Sequence, residues 1–92
     1  MSVYQINYDL RNERDYKALF EKIEKLGDFH RVLESCYLVV SSKTSIEIGK
    51  ELINVMDEDD GLFVTQLVGS GASCGVADGT SSWLQSHGAS IN

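Results

Sequence analysis

The sequence contains no proline, so every chain reversal has to come from glycine or from polar turn residues. Long apolar runs are also missing, since stretches such as residues 37–40 are far shorter than the ~18 residues of a membrane-spanning helix. The first residues include neither a basic region nor the apolar centre of a signal peptide. We therefore expect a cytoplasmic protein that does not enter a membrane.

Cysteine is scarce as well. The chain has two, Cys36 in an apolar run and Cys74 in a glycine-rich segment. Their wide spacing matches neither a metal-binding motif nor a disulfide framework. We expect two free thiols in a reducing compartment.

Basic residues are absent from the second half of the chain. Residues 1–50 hold all eight lysines and arginines together with eight acids, whereas residues 51–92 hold six acids, which account for the net charge of −6. This balance disfavours a broad nucleic-acid-binding surface. Because surface charges act over only about 8–10 Å, a small anion site near Arg11 and Arg14 remains compatible with it.

What is present is a regular pattern over one domain of 92 residues. Residues 3–10 alternate between apolar and polar side chains, which predicts a half-buried strand. An apolar stripe over residues 16–26 predicts an amphipathic helix, with Asn12 as its N-cap and Gly27 as a left-handed stop.

The rest of the pattern supplies three strands and a second helix. Residues 29–34, 36–41 and 62–68 are rich in β-forming residues and predict strands. Thr44 and Glu47 have the spacing of a capping box, which predicts a helix that ends before the acidic residues 57–60.

This order of elements predicts an α+β fold, a ferredoxin-like βαββαβ sandwich over residues 1–68 with two helices on one face of a four-stranded antiparallel sheet. The other face is expected to carry apolar residues and to lie open, so we predict a homodimer. Residues 69–92 form a glycine-rich C-terminal extension that could cross to the partner subunit, with Trp83 as an anchor.

Asp9, at the end of the first strand, is the candidate with metal chemistry. Its carboxylate can reach solvent at the sheet edge, and Mg²⁺ prefers oxygen ligands. Such a metal could activate water for phosphodiester cleavage. The alternative is that Asp9 caps the following turn. Arg11, Arg14 and Lys17 either bind phosphate or form a charge cluster at the helix start that pairs with Asp15 or Glu13, and the second interpretation is favoured.

Other patterns are weaker. The glycines at 69, 71 and 75 miss the spacing of a dinucleotide-binding loop, and the acidic residues 57–60 lack the spacing of a calcium loop. We expect a solvated turn at residues 57–60. His30 could act as a general base, but a single strand histidine is more typical of a structural role.

The early segment and the second strand pair share a further pattern, formed by Tyr8, Asp9, Leu10, Gly27, Arg31, Val32, Ser35, Cys36 and Tyr37. In these residues, and in the strand at 62–67, the chain resembles the small CRISPR-associated adaptation nuclease family, the second of the two core spacer-acquisition proteins. It also looks like related small stand-alone bacterial proteins. The likeness covers about residues 3–68, whereas Leu33 replaces a glutamine common in the family and the tail around Trp83 departs from its usual ending.

The resemblance implies a homodimer in which Asp9 and its symmetry mate face each other and bind a divalent metal such as Mg²⁺. Arg11, Arg14 and Arg31 would then hold the phosphates of a nucleic acid. Members of the family are metal-dependent nucleases or non-catalytic scaffolds. Two hypotheses follow. The first, which the acidic second half favours, is a dimeric module of unassigned role without strong nuclease activity that binds a protein partner or merely keeps the fold. The second is a magnesium-dependent endonuclease acting on RNA or DNA.

Overall fold

The computed structural model describes residues 1–88 and 90–91, so positions 89 and 92 of the predicted extension lie outside the described residues. The described chain forms an α+β fold. Its elements are β1 (Ser2–Asp9), α1 (Lys17–Glu24), β2 (Phe29–Leu33), β3 (Cys36–Ser41), α2 (Ser45–Ile53), β4 (Gly61–Gln66), β5 (Ser70–Gly71), α3 (Thr80–Ser86) and β6 (Ser90–Ile91).

Four strands form one sheet in the order β2-β3-β1-β4, and all of its neighbouring strands are antiparallel. β1 lies in the centre, where Ile6 pairs with Tyr37 on one side and with Val64 on the other. The β2–β3 register shifts between Arg31 and Leu33. The predicted four-stranded antiparallel sheet is therefore confirmed. β5 and β6 form a separate parallel pair.

The first face of the sheet packs against α1 and α2. The apolar side chains of β1 pack there against the apolar stripes of the two helices, as the sequence predicts. Each element buries its apolar side in this one layer. The fully buried centre comprises Ile6, Leu19, Ile23, Val39, Ile48 and Leu52. The predicted capping box opens α2, where the Thr44 hydroxyl accepts from the Glu47 N–H at 3.1 Å and the Glu47 carboxylate accepts from the Thr44 N–H at 3.0 Å.

The second face of the sheet carries a smaller core, which the C-terminal extension of the same chain covers beside β2 and β3. Leu84 of α3 is 1% exposed and packs with four residues of the sheet: Val3, Val32, Cys36 and Leu38. The prediction of apolar residues on this face is correct, but the face is not simply open. A crossing of the extension to a partner subunit stays a prediction.

Side-chain hydrogen bonds hold α3 at both ends. Nε2 of His30 lies 2.7 Å from the Thr80 hydroxyl, and that hydroxyl donates to the carbonyl of Ala77 at 2.7 Å. At the other end, Nε2 of His87 lies 2.8 Å from the Asp28 carboxylate. His30 thus has the structural role that the sequence favours.

Two local predictions are wrong. Asn12 does not cap α1: the helix begins at Lys17, whose N–H donates to the Asp15 carboxylate at 2.9 Å. Gly27 does not have a positive φ angle. A side chain there would instead collide with the backbone carbonyl of Val40, so glycine is required by the close approach of the loop to β3.

None of the helices in the described residues combines the length and the hydropathy that a membrane crossing requires.

Candidate metal and phosphate site at the end of strand β1

Asp9 is the last residue of β1 and pairs with Gly61, the first residue of β4. Its side chain is 72% exposed, so the carboxylate reaches solvent as the sequence predicts. It is not free, however. Nε and Nη2 of Arg11 both lie 3.2 Å from Oδ2 of Asp9, which forms an ion pair within the first turn after the strand.

Arg11 also connects Asp9 to the residues before β4. Its Nη1 donates to the carbonyl of Asp59 at 2.7 Å, and its backbone N–H donates to Oδ1 of Asp60 at 2.9 Å. A Cβ at Gly61 would come within 3.2 Å of the guanidinium, so glycine leaves room for Arg11 to reach across β4. The arginine is therefore a tertiary link as well as a candidate phosphate ligand.

The acidic turn, residues 57–60, accepts hydrogen bonds from the segment 11–16. Nη1 of Arg14 donates to Asp57 at 2.6 Å, and Nδ2 of Asn12 donates to Asp57 at 2.9 Å and to Asp59 at 2.7 Å. The turn is thus bonded to the segment before α1 rather than fully solvated. These bonds hold Asn12 five residues before the start of α1, and Arg14 pairs with Asp57 rather than with Asp15 or Glu13.

Asp60 and Tyr16 form the half-buried part of this contact, with the Tyr16 hydroxyl donating to Oδ1 of Asp60 at 2.9 Å. Burial alone would raise the pKa of Asp60, but hydrogen bonds from the backbone N–H groups of Arg11 and Asp57 and from Tyr16 outweigh it and hold the pKa below its ordinary value. Burial and the hydrogen bond to Asp60 raise the pKa of Tyr16. The pair is therefore a carboxylate and a neutral phenol at neutral pH.

Arg31 is not part of this cluster. It lies on β2, at the opposite edge of the sheet from β4, where its Nη2 contacts the carbonyl of Glu34 and lies 3.4 Å from the Tyr8 hydroxyl. Its guanidinium lies 5.5 Å from the Phe20 ring centroid and 5.6 Å from that of Tyr37. In the described part of the chain no carboxylate comes within 4.0 Å of it.

The contact with the Tyr8 hydroxyl joins Arg31 to the residue directly before Asp9. Burial raises the pKa of Tyr8, and the neighbouring Arg31 partly offsets this effect. The structure therefore brings Asp9, Arg11 and Arg14 to one end of the sheet and leaves Arg31 apart from them.

Oxygen ligands for a metal do occur at this end. Asp57, Asp59 and Asp60 offer carboxylate oxygens within 4.8 Å of one another, a distance at which one cation could contact all three. Asp9 does not belong to that group. A cation there would have to compete with Arg14 and Asn12, which already donate to the same carboxylates.

Sequence reasoning missed the contact between the segment 11–16 and the acidic turn. The available signal was charge complementarity, because two arginines and four consecutive acids lie in segments that flank the adjacent strands β1 and β4. No known protein-family model matches this chain.

Proposed function

We propose that this chain is a ferredoxin-like, homodimeric module that binds a protein partner and has no strong nuclease activity, with an ancestry shared with the CRISPR adaptation nucleases. The antiparallel sheet order β2-β3-β1-β4, with α1 and α2 joining its strands, supports the ferredoxin-like assignment. The motif residues quoted above support the ancestry.

The ion pair between Asp9 and Arg11 carries the functional part of the proposal. A metal-dependent nuclease of this type needs the Asp9 carboxylate for Mg²⁺ and nearby cations for phosphate. Here the carboxylate is occupied by Arg11, and Arg14 is occupied by Asp57. The candidate metal ligand and the candidate phosphate ligands are thus engaged in ion pairs within the chain. This favours a structural role for these residues over a catalytic one.

A magnesium-dependent endonuclease acting on RNA or DNA is the second candidate. The Asp9–Arg11 pair is exposed, and such pairs contribute only about 0–1 kcal/mol, so a divalent cation could displace the arginine. The displaced Arg11 would then be available for phosphate. Arg31 has no carboxylate partner in the described residues, but it lies at the opposite edge of the sheet.

A cleavage assay separates the two candidates. The wild type, Asp9→Asn and Arg11→Ala are incubated with single-stranded RNA and double-stranded DNA in magnesium. We expect no cleavage by any of the three and no salt-sensitive binding of nucleic acid. Cleavage by the wild type that is lost in Asp9→Asn would establish the endonuclease, whereas equal cleavage by both would indicate a contaminant.

The dimer has its own support and its own test. Phe63 on β4 is 65% exposed and lines a shallow depression on the sheet together with Asn7 and Asp9. An exposed aromatic ring beside Asp9 fits a dimer axis in that region. Size-exclusion chromatography with light scattering should give a dimeric mass, and a monomer at micromolar concentration would contradict the proposal.

A further inference from the structure

The two edge strands of the sheet, β2 and β4, differ in how far they are protected from pairing with another chain. At the β2 edge, the N–H of Ala77 donates to the carbonyl of Val32 at 3.0 Å, and a register shift interrupts the strand near Arg31. The extension therefore covers part of this edge, and the irregularity disturbs the rest. Both are recognised ways of protecting a strand from pairing with another chain.

The β4 edge lacks these protections. Residues 61–66 contain no charged residue and no proline, and β4 pairs with β1 without a register shift. Antiparallel strands direct the backbone groups of successive residues to opposite sides. Because Leu67 bonds to Val3 at 2.8 Å, the backbone groups of Leu62, Val64 and Gln66 point away from β1, and no described residue bonds to them.

A groove lies beside this edge, between the end of α2 and the start of β4. Its apolar wall consists of Ile53, Met56 and Leu62, and Ile53 is 61% exposed. Ile46 lies seven residues before Ile53, on the same side of α2, and is 69% exposed. The apolar surface therefore continues along the helix. We call the space lined by Ile53, Met56, Leu62, Asp57, Glu58 and Asp60 the edge groove.

The charge of the edge groove indicates what would occupy it. Five carboxylates surround this end of the sheet, from Asp9 and residues 57–60, against the two guanidinium groups of Arg11 and Arg14. Glu58 is exposed and forms no ion pair with any described residue. The excess of negative charge favours a cationic strand beside the edge groove, and β4 of a second copy would not supply one because residues 61–66 contain no lysine or arginine.

We propose that an extended, basic segment of a partner protein pairs with the β4 edge as an additional strand. Its backbone bonds to Leu62, Val64 and Gln66, as in other cases of strand addition. Alternate lysine or arginine side chains lie with their apolar stems on Ile53 and Met56 and their charged ends near Glu58. This inference rests on the proposed function as a protein-binding module and names the surface and the chemistry of the partner.

The test uses a defined probe, a capped peptide of about six alternating lysine and valine residues, which is the usual length of a strand. A matched peptide of alternating glutamate and valine is the control. We expect the lysine peptide to shift the NMR amide signals of Leu62, Val64 and Gln66, with an affinity that falls as salt is added. Equal binding of both peptides, or shifts confined to another surface, would overturn the proposal.

Two pairs of variants separate backbone pairing from charge. Gln66→Pro removes an outward-pointing N–H and leaves the backbone bonds to β1 in place, whereas Gln66→Ala keeps that N–H. Both variants lose the side-chain bond to Ser2, so this loss cancels in the comparison. We expect an affinity loss of about tenfold for Gln66→Pro and little change for Gln66→Ala. Glu58→Lys should weaken binding of the lysine peptide more than Glu58→Gln does, and a reversal of either order would contradict the proposal.

The remaining outcome is a second copy on the same edge. The dimer proposed above involves the sheet face at Phe63, so Gln66→Pro should leave the dimeric mass unchanged; conversion to a monomer would assign the β4 edge to a second copy and overturn the inference. A failure of peptide binding leaves the cleavage assay unaffected, because that assay contains no peptide. The two proposals can therefore fail separately.

Discussion

The two faces of the sheet are covered by different means. On the first face, α1 and α2 contribute Leu19, Ile23, Ile48 and Leu52 to a layer of fully buried aliphatic side chains. On the second face, α3 contributes one, Leu84. The stabilising free energy of burial is roughly proportional to the apolar area removed from water. The first face should therefore supply most of the folding free energy.

α3 depends on its surroundings more than α1 and α2 do. All three described helices are shorter than the ~12–15 residues at which an isolated helix becomes stable in water, but α3 buries one aliphatic side chain whereas α1 and α2 bury two each. The bonds of α3 run through side chains, from His30 to Thr80 and from His87 to Asp28. The difference suggests a stable helical face and a second layer that can open locally, and four changes test it.

The largest effect is expected for Leu52→Ala on the first face. Leu52 is fully buried between α2 and the sheet, and truncation of such a residue costs about 2–5 kcal/mol in free energy of unfolding. Chemical denaturation followed by circular dichroism measures the loss. Leu52→Met, which keeps the volume, should cost less than about 1.5 kcal/mol. Equal costs for the two variants would mean that Leu52 is not in a packed core.

Leu84→Ala is the corresponding change on the second face. We expect a loss of about 2–3 kcal/mol that appears first as faster hydrogen exchange in α3 and residues 70–77, while amides of β1 and β3 stay protected. Gln85→Ala, at the exposed neighbouring position, is the control. If β1 and β3 exchange as fast as α3 in Leu84→Ala, the two faces unfold as one unit.

Thr80→Val removes a buried hydroxyl at the start of α3. Because this hydroxyl donates to Ala77, its oxygen accepts from the Nε2–H of His30, so the valine leaves two groups without partners. We expect a loss of about 1–3 kcal/mol, and near recovery in Thr80→Ser, which retains the hydroxyl. A Thr80→Ser variant as unstable as Thr80→Val would show that the hydroxyl alone does not restore stability, which would contradict the hydrogen-bond explanation.

Tyr37→Phe should have the smallest effect at neutral pH, about 0.5–1.5 kcal/mol, since it removes one hydrogen bond, donated to Glu24 at 2.9 Å. Burial, and then the Glu24 carboxylate, raise the pKa of Tyr37 from 10.0 to about 12. The neutral phenol is therefore favoured in the folded state. Its stabilisation is complete below pH 10 and is lost as the pH rises towards 12.

The alkaline range gives the measurement. Denaturation curves of the wild type and Tyr37→Phe, recorded at several pH values, should converge between pH 10 and pH 12. A constant difference in free energy of unfolding over that range would show that Tyr37 ionises equally easily in both states.

The first face could be predicted from the sequence because its elements carry local signals. The apolar stripes and the Thr44–Glu47 capping box each depend on residues a few positions apart. The start of α1 could not, because Asn12 bonds to the acidic turn 45 residues later in the chain. The sequence predicts a glycine at the end of α1, but the reason for Gly27 is its contact with β3, which no local pattern shows.

The candidate site likewise has a part that the sequence predicts and a part that it does not. The position of Asp9 at a strand end follows from the alternation of β1, whereas its pairing with Arg11 depends on how the chain turns back against β4. The docking of the extension was missed for a related reason. A short helix around Trp83 can be predicted, but residues 69–79 are mostly small and show no periodicity, so nothing local indicates that this helix packs on the sheet of the same chain.

The aromatic residues divide between the two faces as well. All four tyrosines belong to the core under α1 and α2, whereas the single tryptophan, Trp83, lies on α3 with its ring 6.0 Å from that of His30 and 4.5 Å from that of His87. Each layer thus contains its own kind of chromophore. Indole emission follows the docking of the extension and phenol absorbance follows the helical core, so the unmodified chain reports on its two layers at different wavelengths.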